Sequence, residues 1–463
     1  MSFSRNSLEQ IIGDPERLIF DAIAPKYLSD TLGRKRGRAD ALVFPLSARE
    51  VSRVVKYAHD NAIPITPRGA GTNLVGSTVP IKGGIILDFS RMDRIIELDA
   101  DTFTATVEPG ILLKDFQAYV EERGLFYPPD PGEKESSLGG NINTNAGGMR
   151  AVKYGVTRNY VIGLEGVTAD GTILTLGGKN VKDTTGLSLK DLVIGSEGTL
   201  LVVTKCLLRL IPKPETVVSV LVPYPDLRTG IRSVLTLLRA NAHPTAVEFM
   251  ERSVVELGEN FTGVRYPKPE AGSYILLSFD GHRVEVERNI ERLRGLALKN
   301  GALDYIVIKD QRQSDEIWKV RGALVKAVEA VSEQEPMDIV VPINRTADFV
   351  QFVNELDLKS GMRMICFGHV GDGNVHLCVL RDKRDEETWE RELDQNLLKL
   401  YAEVYRLGGL ISGEHGLGIA KRPYFFRETA GANVELMNRI KDALDPLHIL
   451  NDGKSYILKE HHM

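Results

Sequence analysis

His369 and His376 flank the run Val370-Gly371-Asp372-Gly373-Asn374-Val375. The stretches on either side, Met362–Cys366 and Leu377–Leu380, read as short buried strands. Asp-Gly between two apolar runs is a strong two-residue hairpin signal, because glycine takes positive φ at no steric cost. With Asp372 and Gly373 at the tip, Val370 faces Val375 and His369 faces His376. Cβ atoms so opposed lie roughly 4.5–5.5 Å apart. Two imidazoles at that separation could share one metal ion of the zinc type. A polar pair on a hairpin, or one buried histidine with its hydrogen bond satisfied, explains two histidines as well.

A second stretch shifts that balance. In Gly409-Leu410-Ile411-Ser412-Gly413-Glu414-His415-Gly416-Leu417-Gly418 a carboxylate and an imidazole stand side by side among glycines. Glycine lets backbone approach a ligand closely but stabilises neither helix nor strand. The run is costly as plain structure. It is reasonable as a third metal ligand, Glu414, beside a proton-transfer group, His415. Three of the chain's nine histidines fall in these two stretches.

The elements that must carry these groups change character near residue 215. Before it, strands are predicted at Ala41–Pro45, Ile63–Pro67 and Gly84–Phe89, with an amphipathic helix from Ala48 to Asn61 burying Val51, Val54, Val55 and Ala58. A hairpin follows at Ile95–Leu98 and Thr104–Glu108, then a helix from Leu112 to Gly124. Between them lie glycine-dense runs. Arg68-Gly69-Ala70-Gly71-Thr72-Asn73-Leu74-Val75-Gly76-Ser77 has the small residues that let successive backbone N–H groups converge on a phosphate. It is not a nicotinamide-binding Rossmann turn: position 74 is Leu, and a strand rather than a helix comes next. Residues Ser137–Gly148 show no regular periodicity and read as an extended ligand wall. A third cluster spans Asp191–Leu200 and leads into the strand Leu201–Thr204. After residue 215 ordinary strand–helix alternation sets in, with strands near 245–250, 273–279, 303–308 and 337–342 and helices near 228–241, 284–299, 313–333, 346–359, 386–407 and 433–444.

Composition bounds the rest. A chain of 463 residues holds two or three domains. A net charge of −5 gives no basic field for nucleic acid. The cluster Arg34-Lys35-Arg36-Gly37-Arg38 reads as a solvated loop. Cys206, Cys366 and Cys378 form no Cys-x-x-Cys spacing, so an all-thiolate iron–sulfur cluster is not expected, and neither is a disulfide framework. Cys378 shares a strand face with His376 and reads first as a core thiol. The opening Met1–Asn6 carries no apolar leader, and no apolar run reaches the ~18 residues of a membrane span.

Taken in order, these motifs resemble the vanillyl-alcohol-oxidase-type flavoproteins, in the branch holding glycolate oxidase FAD subunits, D-lactate dehydrogenases and D-2-hydroxyglutarate dehydrogenases. The resemblance rests on Pro67–Asn73, Pro128–Pro131, Gly139–Gly148, Gly195–Thr199, the histidine hairpin, Ser412–Gly416 and Asp445–Lys454. The runs Phe126–Lys134 and Met149–Gly155 look most like the bacterial glycolate oxidase and lactate dehydrogenase subunits.

The resemblance implies an α+β protein. A two-subdomain FAD-binding domain of the PCMH type would span residues 1–215 and a substrate-binding domain of the FAD-linked oxidase C-terminal type residues 216–463. It implies that Arg68, Gly69, Ala70, Gly71, Thr72, Asn73, Gly76 and Ser77, with Pro131, Gly132, Ser137, Gly140, Asn141, Thr144, Gly147 and Gly148, surround the FAD pyrophosphate and ribityl chain. Glu197, Gly198 and Val203 would sit near the adenine. Some relatives bind FAD through a histidine in the first loop; Thr72 stands there, so FAD is expected to be non-covalent. By the same resemblance His369, His376 and Glu414 bind a divalent metal (zinc, iron or manganese), His415 is the base, Arg321 clamps the substrate carboxylate, and Asn374 bonds its hydroxyl or carboxylate. Val325 and Pro336 stand where the hydroxyglutarate branch has Thr and Lys, which favours a small monocarboxylate.

The expected reaction is oxidation of a glycolate- or D-lactate-type acid to the 2-oxo acid. Electrons would pass to a separate redox protein (an iron–sulfur subunit or an electron-transferring flavoprotein) or to a quinone. A non-catalytic flavin subunit, or the same fold acting on another alcohol such as D-2-hydroxyglutarate, are the rivals. The cytoplasm is the expected compartment, any membrane link is made through a partner, and a homo-oligomer is left open.

Overall fold

A computed structural model describes residues 3–457; Met1, Ser2 and residues 458–463, including the start of the stretch read for a leader, lie outside it. The chain divides into two compact units. The first holds the residues up to Gly147, then Val156–Lys213, then those from Glu414 on; the second holds Gly148–Gly155 and Pro214–Gly413.

In the first unit, Ala41–Val43, Ile85–Asp88 and Ile65–Arg68 pair in parallel, with Leu18–Ile19 antiparallel at one edge. The helix Ala48–Asp60 starts where Ser47 accepts a hydrogen bond from Glu50 N, and it buries Val51, Val54, Val55 and Ala58, one apolar stripe at helical spacing. A five-stranded antiparallel sheet runs in the order Ile95–Asp99, Thr104–Val107, Val202–Arg209, Val161–Val167, Ile173–Gly177. The C-terminal segment returns here: Leu450 bridges Ile65, and Ile449 and Leu450 are fully buried in the core beside Val43 and Leu87.

The second unit is a seven-stranded antiparallel sheet, in the order Ile306–Ile308, Thr216–Tyr224, Ser273–Gly281, Ala246–Glu251, Met364–His369, Asn374–Leu380, Gln334–Val340. The helix Gln311–Glu329 is capped by Asp310 and buries Ile317, Val320, Arg321, Leu324 and Val328 at helical spacing. Its apolar side packs on Met250, Phe367 and Cys378 of the sheet.

Two local expectations change. Ser137–Gly148 is not extended throughout: Leu138–Thr144 is a helix, with Ser137 Oγ accepting from Gly140 N at its start and Asn145, at φ 53°, ending it. Glycines hid it by removing the apolar stripe. Gly139 is needed for close packing, because a Cβ there would lie 2.6 Å from Pro109 Cβ.

The histidine hairpin also has a wider tip than Asp372-Gly373. His369 pairs with Asn374 and Phe367 with His376, so Val370–Gly373 is a four-residue loop. The ladder opens early because loop backbone is used elsewhere: Gly371 N donates to Val247 O, and Gly373 O accepts from Val341 N. His369 and His376 are therefore diagonal neighbours rather than directly opposed.

Candidate active site

Four neighbouring strands of the second unit present their polar groups on one face. Glu248 stands opposite His369, His369 opposite Asn374, Phe367 opposite His376, and His376 opposite Asp338. Opposed residues share a face, and so do alternate residues along a strand. All five polar groups thus point to one side, where helix Gln311–Glu329 packs and delivers Arg321.

The two imidazole Nε2 atoms lie 3.1 Å apart, with the rings at 88°. Nitrogens bound about 2.0–2.1 Å from one metal, at octahedral or tetrahedral angles, sit about 2.8–3.4 Å apart, so the pair fits a shared ion. His369 Nδ1 lies 2.7 and 2.9 Å from the two oxygens of Glu248. A carboxylate in this pairing only accepts, so Nδ1 carries the proton and Nε2 is the nitrogen left for a metal.

Glu248 also accepts from Arg321, Nε at 2.9 Å and Nη2 at 2.6 Å. Burial alone would raise this carboxyl; His369 and Arg321 outweigh it and hold it below its ordinary value. The guanidinium stacks 5.3 Å from the Phe367 ring centre. With Nε engaged, the Nη1–Nη2 edge is the one a substrate carboxylate can meet.

Asn374 Nδ2 donates to Asp338 Oδ1 at 2.7 Å and to Ile339 O at 2.9 Å. Both amide hydrogens are in use, which leaves Oδ1 to face a ligand as an acceptor. Asp338 further accepts from Ser412 Oγ at 3.1 Å and Gly413 N at 2.9 Å. A Cβ on Gly413 would lie 2.5 Å from Asn374 Nδ2, so this close approach requires glycine. Glu414 follows directly in the chain, and both it and His415 are half-buried. Burial pushes Asp372, in the hairpin loop, up to about 6. Cys378 sits in the core with its thiol pushed up to about 12 by burial, and Cys206 and Cys366 are equally buried.

In the first unit the glycine loops are packed without slack. A Cβ on Gly69 would lie 2.0 Å from Ser137 Oγ, and one on Gly71, at φ 74°, 2.0 Å from the Arg68 guanidinium. Arg68 itself is turned inward, with Nη1 on Thr78 Oγ1 and Nη2 on Lys26 O. Ser137 Oγ accepts from Ala70 N, tying the two loops together. Among the described residues, Asn73 Oδ1 and Asn141 Nδ2 are buried without a protein partner, one acceptor and one donor. FAD, with its phosphates and ribityl hydroxyls, carries groups of both kinds, so the loops fit it.

Thr144 Oγ1 bonds Gly140 O, Pro131 and Gly147 are buried, Val203 lies in the strand Val202–Arg209, and Gly132 is exposed with open space around it. Gly76, Gly148 and Gly198 all have positive φ. Thr72 is half-buried. Glu197 accepts from Ser77 Oγ at 2.6 Å, Leu417 N at 2.8 Å, Gly418 N at 2.9 Å and Ser455 Oγ at 3.1 Å. Its carboxylate thus anchors the segment that follows Glu414-His415. Lys454 Nζ donates to Ser77 O and Asn451 Oδ1, and burial pushes its ammonium down to about 7.

Sequence reasoning passed over Glu248 and Asp338. Each is an acidic residue flanked by apolar neighbours, Val247 and Phe249 in one strand and Met337 and Ile339 in the other, and each is fully buried. That mismatch was the available signal.

Residues 213–455 match the family described as FAD linked oxidases, C-terminal domain, and residues 39–177 match the FAD binding domain. A D-lactate dehydrogenase of Anaerostipes hadrus is 39% identical over 95% of this chain and 94% of its own length. Glycolate oxidase subunit GlcD of Bacillus subtilis is 37% identical, covering 93% and 92%. Among solved structures, p-cresol methylhydroxylase aligns with a TM-score of 0.80 at 18% identity over 98% of this chain and 96% of its own, a likeness of fold alone. The chain belongs to the FAD-linked oxidases. It is an FAD-dependent oxidoreductase built on the PCMH-type fold.

Proposed function

We propose that this chain oxidises a small 2-hydroxy acid of the glycolate or D-lactate type to the 2-oxo acid. The observation that carries the reading is the pair of Nε2 atoms on His369 and His376, 3.1 Å apart on the sheet face against which the helix Gln311–Glu329 sets Arg321. The relatives named D-lactate dehydrogenase and glycolate oxidase subunit support the substrate class.

FAD, when bound, supplies the redox chemistry by taking up hydride from C2. A divalent ion (zinc, iron or manganese) held by His369, His376 and Glu414 would supply Lewis-acid polarisation of the C2 hydroxyl. Arg321 binds the substrate carboxylate through its Nη1–Nη2 edge. Asn374, whose amide hydrogens are spent on Asp338 and Ile339, donates nothing to the substrate carboxylate and presents only its Oδ1 acceptor to the bound acid. His415 takes the hydroxyl proton, as imidazole does near neutral pH.

The loops Arg68–Ser77 and Ser137–Gly148, with Pro131, Gly132, Gly198 and Val203, surround the FAD, held without a covalent bond because Thr72 offers no imidazole. Glu197 serves this cradle through the segments that it anchors. Pro336 lies two residues before Asp338 on the same sheet face. Its apolar ring offers nothing to a second carboxylate, which favours a monocarboxylate over D-2-hydroxyglutarate.

Electrons leave to a separate redox protein or a quinone: the three cysteines are buried and form no disulfide, which gives no thiolate set for an iron–sulfur relay within the chain. They also suit a reducing compartment such as the cytoplasm. Among the described residues no helix is long and apolar enough to cross a membrane.

The test is steady-state turnover of the holoenzyme with an artificial electron acceptor. Glycolate or D-lactate should exceed D-2-hydroxyglutarate in kcat/KM by at least about tenfold, the scale of one lost contact of about 1.4 kcal/mol. Preference for the dicarboxylate would contradict the monocarboxylate reading.

A further inference from the structure

The Glu248 carboxylate is fully buried in the middle of the sheet, directly opposite His369, and is spent entirely on two other functional side chains. Oε1 and Oε2 both meet His369 Nδ1, and Oε2 also takes Arg321 Nε and Nη2. We propose that Glu248 is the positioning residue of this site: one carboxylate fixes the imidazole that binds the metal and the guanidinium that binds the substrate carboxylate. The inference rests on the metal reading given above and deepens it.

The chemistry follows from the donors and acceptors. Glu248 can only accept here, so His369 Nδ1 is a donor whether the ring is neutral or cationic. The nitrogen turned toward His376 is then Nε2, 3.1 Å from the His376 Nε2, and it is the one that would bind metal once it carries no proton. A carboxylate hydrogen-bonded to the far nitrogen of a ligating imidazole sets the ring's tautomer and orientation and raises its basicity. Arg321, held by Nε and Nη2, cannot swing about its long side chain, and its end-on edge is preset for a carboxylate. Metal affinity and substrate affinity are therefore coupled through a residue that touches neither ligand.

Glu248→Gln keeps the volume and leaves at most one good acceptor. Its amide must turn an N–H toward either His369 or Arg321. Zn²⁺ affinity, measured on the metal-free, FAD-loaded protein by chelator competition, should fall about 10–100-fold. KM for the hydroxy acid should rise, while FAD content stays the same. Zn²⁺ binding of equal strength in both proteins would overturn the positioning role and leave the metal reading intact. Absence of Zn²⁺ binding in the unsubstituted protein would overturn both.

Should the variant not fold, the imidazole ¹⁵N spectrum of the unsubstituted, metal-free protein decides. The His369 signals, identified as those missing in His369→Asn, should show a proton on Nδ1. A ring protonated on Nε2 alone would overturn the proposal.

Discussion

Asn374 donates to Asp338 Oδ1 at 2.7 Å, while the other oxygen of Asp338 accepts from Gly413 N at 2.9 Å. One buried carboxylate thereby joins the histidine hairpin to the residue immediately before Glu414. Asp338→Asn replaces one acceptor with a donor and leaves a buried N–H facing it. The variant should lose about 1–3 kcal/mol of stability, read as a lower urea midpoint, and should bind less metal. An unchanged midpoint and metal content would mean that the joint is dispensable.

Gly69→Ala puts a methyl 2.0 Å from Ser137 Oγ, at the junction of the two cradle loops. The purified variant should carry little FAD, judged by visible flavin absorbance per chain. Gly132→Ala, where a Cβ meets nothing within 4 Å, should keep its flavin. Equal flavin loss in both would show that the packing of the loops is not what holds the cofactor.

Cys378→Ala should leave metal content unchanged, because the thiol lies in the core with Ile365 and Leu380 and burial keeps it protonated. The cost should appear in stability alone, on the order of 1 kcal/mol. Loss of metal would return Cys378 to the ligand set.

Lys454 gives the FAD-free protein a pH dependence. Its folded pKa is pushed down to about 7 from an ordinary 10.5. Between those values the unfolded chain binds more protons than the folded one, so stability should rise with pH across that window, by up to about 1.4 kcal/mol per pH unit. Below pH 7 this contribution is flat. Lys454→Met should have a shallower slope of urea midpoint against pH from 7 to 9 than the unsubstituted protein. Parallel slopes would show that the ammonium is not destabilised by burial.

Much of this molecule was legible from its residues. The helix Ala48–Asp60 declared itself by the spacing of Val51, Val54, Val55 and Ala58. The glycine loops announced a ligand by composition, and the hairpin by its Asp-Gly pair. The detail that failed was register. An Asp-Gly pair predicts a two-residue tip only when the loop backbone has no better partners, and Val247 and Val341 supply them here. The helix Leu138–Thr144 was illegible because glycines at 139 and 140 erase periodicity. Glu248 and Asp338 were hidden for another reason. Their partners lie 121 and 36 residues along the chain, a separation that local patterning does not register.

Hydroxy-acid oxidation by this chain should need flavin, metal and His415 together. The most direct test is anaerobic: D-lactate, L-lactate, glycolate and D-2-hydroxyglutarate are added in turn to the metal-loaded holoenzyme while the flavin absorbance is followed. Glycolate or D-lactate should bleach the flavin. A chelator should abolish the bleaching, and His415→Asn with its FAD intact should slow it by about 10²–10⁴-fold. A flavin that no hydroxy acid reduces, or one reduced as fast without metal and without His415, would contradict the account.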